Sequence, residues 1–125
     1  MKKRNNIFLI IVAFSLLTMG CAATRSTYVG NWDYTVRNLP DGDLTGLLII
    51  RVEDDGYGCH VQSADGMADF DMEHCAIEDN ILTGYYYQQG SRIDVTGTFS
   101  EEKLFGTVRI DTYEFPLELI RQKSN

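Results

Sequence analysis

Four groups of side chains in this 125-residue chain have the types and spacing to do chemistry. Asp69, Asp71 and Glu73 alternate with Phe70 and Met72, which sets three carboxylates on one face of an extended segment. Paired carboxylates can serve acid–base catalysis, but no nucleophile or oriented histidine accompanies them, so an acidic outer face is expected. His60 and His74 flank the turn signal Asp65-Gly66. A hairpin centred near residue 67 sets their imidazoles opposite each other, yet two ligands hold zinc weakly without a third. The same register sets Cys59 opposite Cys75, which in an oxidising compartment predicts a disulfide. A tight two-residue turn at Asp65-Gly66 would instead pair Cys59 with Met72 and leave two small buried thiols. Tyr85-Tyr86-Tyr87 puts aromatic rings on both faces of one strand. Tyr85 and Tyr87, with Trp32, Tyr34, Phe99 and Phe115, form a candidate ligand lining whose hydroxyls would orient a polar head. The other reading has these rings filling the interior. Gly-x-Ser-x-Gly, His-Glu-x-x-His and phosphate-loop patterns are all missing from the chain. The expectation is a binding protein without catalysis, cofactor or metal.

The elements that must position these groups are short strands. Gly30 to Arg37 opens the series, with Trp32, Tyr34 and Val36 alternating against polar neighbours. Leu39-Pro40-Asp41-Gly42-Asp43 bends the chain. Leu44 to Val52 is apolar on both faces, and Glu53-Asp54-Asp55-Gly56 turns it back. Further strands are expected over 57–63, 67–77, 81–89, 92–100, 104–110 and 113–121, with links of two to six residues. No window carries a helical period. Eight strands so joined form an antiparallel meander, which closes most simply into an up-and-down barrel; a two-layer sandwich is the other arrangement. Leu44-Thr45-Gly46, Leu82-Thr83-Gly84 and Leu104-Phe105-Gly106 each open a strand after an acidic turn, and a glycine there permits sharp coiling.

The N-terminus reads differently. Lys2, Lys3 and Arg4 precede the apolar run Ile7 to Leu17, too short to span a bilayer but suited to a signal peptide. Leu17-Thr18-Met19-Gly20-Cys21 resembles the lipobox of bacterial lipoproteins, departing from it at Thr18 and Met19. The resemblance implies removal of residues 1–20, lipidation of Cys21, and a tether over residues 21–29 that leads into a domain spanning 30–123. The alternative is an ordinary secretory peptide that leaves Cys21 a plain thiol. By the same resemblance, in a two-membrane bacterium, the lack of Asp beside the cysteine implies an outer-membrane anchor facing the periplasm. Removing three of the 11 basic residues against 18 acidic ones leaves a net charge of about −10. That balance argues against nucleic acid and against adhesion to anionic lipid headgroups.

Gly30-Asn31-Trp32 looks like the Gly-x-Trp motif on the first strand of the lipocalin and calycin superfamily. Arg121, ending the last strand, is similar in place to the arginine that packs over that tryptophan. The resemblance implies a calycin-like barrel with Gly30, Trp32 and Arg121 as structural anchors. The domain is shorter than typical lipocalins and lacks their C-terminal helix and the helical lid of fatty-acid-binding proteins. It also resembles small lipocalin-like domains of uncharacterised bacterial lipoproteins. The function implied is a lipid-anchored module that holds a small apolar ligand. The alternative is an envelope protein with a filled barrel that acts through its surface, on another protein.

Overall fold

The computed structural model describes residues 26–123. The signal-peptide reading of residues 1–20, the lipidation of Cys21 and most of the tether lie outside those residues. A single 3-10 turn, Ser26–Tyr28, leads into nine strands. These are β1 (Gly30–Val36), β2 (Leu44–Glu53), β3 (Gly56–Ser63), β4 (Asp69–Asp71), β5 (His74–Glu78), β6 (Ile81–Gln88), β7 (Ser91–Ser100), β8 (Lys103–Ile110) and β9 (Tyr113–Arg121). They form one antiparallel sheet in the order β4-β3-β2-β1-β9-β8-β7-β6-β5. All neighbours in that order are consecutive in the chain except β1 and β9, whose pairing runs from Trp32–Arg121 to Val36–Leu117.

Five of the links are two-residue turns, the shortest an antiparallel pair allows. Asp79 and Asn80 both adopt positive φ, as do Gln89 and Gly90, the geometry that matches strand twist in such turns. The three echoed glycines lie where strands approach closely. A Cβ would sit 2.2 Å from the Gln62 carbonyl oxygen at Gly46, 2.7 Å from that of His74 at Gly84, and 1.9 Å from that of Thr96 at Gly106. No other residue fits there, and the sheet curls at those points.

Two expectations need correction. The expected strand over 67–77 is two strands, which makes nine in place of eight. Met72 N donates to the Cys59 carbonyl on β3 at 2.9 Å, and Glu73 N donates to the Tyr85 carbonyl on β6 at 3.1 Å. The chain thus changes partner between adjacent residues, leaving one edge of the sheet for the other. The second correction follows from the first. The sheet is curled but not ringed by hydrogen bonds, because its end strands β4 and β5 pair with β3 and β6 and not with each other. A seam remains between Gly56–Cys59 and β5.

The core occupies the concave side. Trp32, Ile50, Leu82, Leu104, Leu119 and Cys59 are its largest fully buried side chains. Burying a large apolar side chain stabilises by about 1.5–3 kcal/mol, so this layer outweighs any of the exposed ion pairs.

Candidate functional site

The two poles of the curled sheet differ. One is sealed by rings: Trp32 packs against Phe99 at 5.1 Å between centroids, and Phe99 against Tyr28 at 4.8 Å. The Trp32 indole N–H donates to the Tyr28 carbonyl at 3.1 Å, which ties the 3-10 turn into the seal. Arg121 lies over the indole with its guanidinium carbon 4.3 Å from the ring centroid. It also donates to the carbonyls of Val29, at 2.9 Å, and Thr27, and pairs with Glu102 at 2.9 Å. A Cβ at residue 30 would fall 2.9 Å from that guanidinium, where φ is +144°, so glycine is required. Gly30, Trp32 and Arg121 are therefore structural.

Toward the opposite pole valines join the leucines and tyrosines on the inner face. Val36, Val95, Val108 and Leu117 leave a cavity of about 60 Å³, roughly two waters' share of liquid volume, that opens at the end bearing the 37–43 loop. With its mouth the unfilled space is about 460 Å³. Tyr34, Tyr86 and Met72 also face it. Tyr86 packs against Phe70 of β4, the rings tilted by 46° with centroids 4.7 Å apart. Neither the Tyr34 nor the Tyr86 hydroxyl has a hydrogen-bond partner among the described residues. Among the described residues no fully buried side-chain oxygen lacks a partner, so both phenol oxygens keep some access to solvent. Burial, then the Tyr86 phenol and the Asp65 carboxylate, push the Tyr34 hydroxyl up to about 12, and burial raises Tyr86 as well. Both are neutral donors at ordinary pH.

Of the expected lining, Tyr34 alone faces this cavity. Trp32 and Phe99 belong to the sealed pole, and Phe115 is half-buried beside the core. Tyr85 and Tyr87 point the other way. Leu82 and Gly84 are buried, so the even positions of β6 face inward and Tyr86 occupies the place expected of its neighbours. Outside, Tyr85 stacks on His74 at 5.5 Å and under Arg92 at 4.1 Å, and Tyr87 is 58% exposed. The buried leucine of the strand was the signal for this parity.

The acidic strand and the histidines form a separate, outer cluster. His60 lies across from Asp71, and His74 across from Tyr85, so the two imidazoles do not meet. His60 contacts Asp69 through Nε2 at 2.5 Å and Asp71 through Nδ1 at 2.7 Å. Arg51 adds a 3.0 Å bond to Asp71. The carboxylates, Asp71 foremost, hold His60 above its ordinary value, and His60 and Arg51 hold Asp71 below its own. Among the described residues no three His, Cys, Asp or Glu side chains converge to hold a metal ion.

Cys59 and Cys75 are joined as a disulfide, 16 residues apart in sequence. The β3–β4 register is the tight one that sets Cys59 against residue 72, and the link forms because the partner change at 72–73 brings Cys75 back across the seam.

No protein-family model and no curated protein matches the sequence. Among solved structures, two single-residue mutants of the fluorescent protein UnaG are similar. One superposes at TM-score 0.58 with 12% identity, the other at 0.53 with 11%, each over 79% of this chain and 99% of that one. A likeness at such identity is one of fold alone, an antiparallel, up-and-down curled sheet.

Proposed function

We propose that this chain is a non-catalytic binding module that holds a small apolar molecule in the concavity of its sheet, anchored to the bacterial outer membrane through lipid on Cys21. The observation that carries the ligand reading is the cavity between Tyr34, Tyr86 and Met72, apolar in its walls and open at one pole. It is small beside ordinary ligand pockets of about 300–1,000 Å³, so occupancy requires Met72, a flexible thioether side chain, to swing aside. The preceding strand β4 is held by only three cross-strand pairs, which makes that movement local. The anchor reading rests on the apolar run and Gly20-Cys21. Native mass spectrometry of the purified protein tests the first part: a lipid-sized adduct is expected, lost when Val95→Trp fills the cavity. A bare mass after exposure to envelope extract would refute it. Cys21→Ala tests the second and should shift the protein out of the membrane fraction.

A second reading, action through the surface on another envelope protein, is favoured by the seam. There an open groove of about 1000 Å³ runs between the ends of β3 and β5, bordered by Glu53, Asp54, Asp55 and Glu78. Retention of an envelope protein by a column of the wild-type chain, abolished when those four acids are neutralised, would support it.

A further inference from the structure

We propose that the cavity selects uncharged ligands, apolar bodies ending in a hydrogen-bond acceptor such as an ester, ketone or hydroxyl oxygen, and rejects free carboxylates. The inference rests on the ligand-binding reading and specifies its chemistry. No Lys, Arg or His is among the residues lining the cavity. Its polar groups are the two phenols, each a donor with no partner among the described residues. An ionised carboxylate taken in there would lose its hydration and meet no opposite charge, the costliest form of burial.

Cations near the lining in sequence are engaged outside it, among them Arg109, which follows Val108 and lies 3.9 Å from Glu114. Arg37, following Val36, pairs with Asp43 at 3.6 Å and Glu118 at 3.4 Å. Arg92 bonds Asp94 at 2.9 Å and covers the outer face of Tyr85. None of the three is free to turn inward without abandoning a carboxylate. A neutral oxygen needs no countercharge. It can accept from the Tyr34 or Tyr86 hydroxyl while its apolar part lies against Val95, Val108 and Leu117, which are wall residues.

The test offers the full-length protein three probes of one chain length, octanoate, methyl octanoate and octanol, in calorimetric titrations near pH 8, well above the carboxylate range. The ester and the alcohol should bind at least about tenfold more tightly than the acid, a factor equal to about 1.4 kcal/mol. Tyr34→Phe and Tyr86→Phe should together weaken the ester by roughly fivefold or more, the share of a neutral hydrogen bond. Octane accepts no hydrogen bond, so its binding should fall by less than that of the ester. Octanoate binding as well as the ester, or an ester indifferent to both substitutions, would overturn the selectivity while leaving ligand binding intact. Failure of all three probes and of octane would overturn the ligand-binding reading itself.

Discussion

Reducing the Cys59–Cys75 link is the sharpest single perturbation of this fold, because β3 and β5 have no ladder between them to take over. Closing a loop of 16 residues removes chain entropy from the unfolded state equivalent to about 3 kcal/mol at room temperature. Domains of this size have total stabilities of about 5–15 kcal/mol, so the link supplies a substantial share. Urea unfolding of the oxidised and reduced protein measures it without any substitution. Trp32, the one tryptophan, is fully buried and reports the transition by its fluorescence. With a slope of about 1–3 kcal/mol per molar, the midpoint should fall by roughly 1–3 M on reduction. Amide exchange should accelerate first over residues 69–78, the segment that bridges the seam. A loss under about 1 kcal/mol would refute the reasoning, since it would mean that packing across the seam closes the sheet unaided.

Arg121→Ala removes a cation–π contact, two bonds to backbone carbonyls and the Glu102 pair. It should cost about 2 kcal/mol by the same assay, and a cost below roughly 0.5 would place the arginine outside the seal. Gly46→Ala drives a methyl into the Gln62 carbonyl and the Tyr34 ring, 2.6 Å from the new carbon. A destabilisation of about 1–3 kcal/mol is expected, together with loss of methyl octanoate binding as Tyr34 shifts. The His60 cluster makes β4 sensitive to pH. His60, raised by Asp71 and Asp69, contributes fully below about pH 6.5 and loses that contribution as pH rises through its folded value. Asp71, lowered by His60 and Arg51, contributes above about pH 3.9 and loses its share on acidification. Exchange at Asp69–Asp71, corrected for intrinsic rates, should therefore be slowest between those limits, and His60→Ala should remove the rise on the alkaline side. Tyr34, at about 12 against an ordinary 10.0, contributes below pH 10 and loses that contribution as pH rises through 12. Tyr34→Phe should flatten that part of alkaline unfolding.

The strand boundaries were legible because turns such as Glu78-Asp79-Asn80 and Gly90-Ser91 punctuate short alternating runs, and the seal was legible because one tryptophan and one terminal arginine carried it. The split of 67–77 was not. Phe70 and Met72 keep a strand's parity up to the crossing, and only pairing with two different strands reveals the change. For the cavity, three consecutive tyrosines offer no parity of their own. Space is left where inner side chains are small, as at Val36, Val95 and Val108, and large apolar residues mark the plug but not the void.

Gln122 N donates to the Asn31 carbonyl at 2.9 Å, so the first and last strands leave the body side by side at the plugged pole. A hold on the chain through its N-terminal segment, as proposed for Cys21, would act at the plugged pole, opposite the cavity. A ligand of the proposed kind would then be exchanged with the surrounding fluid, away from the anchored end.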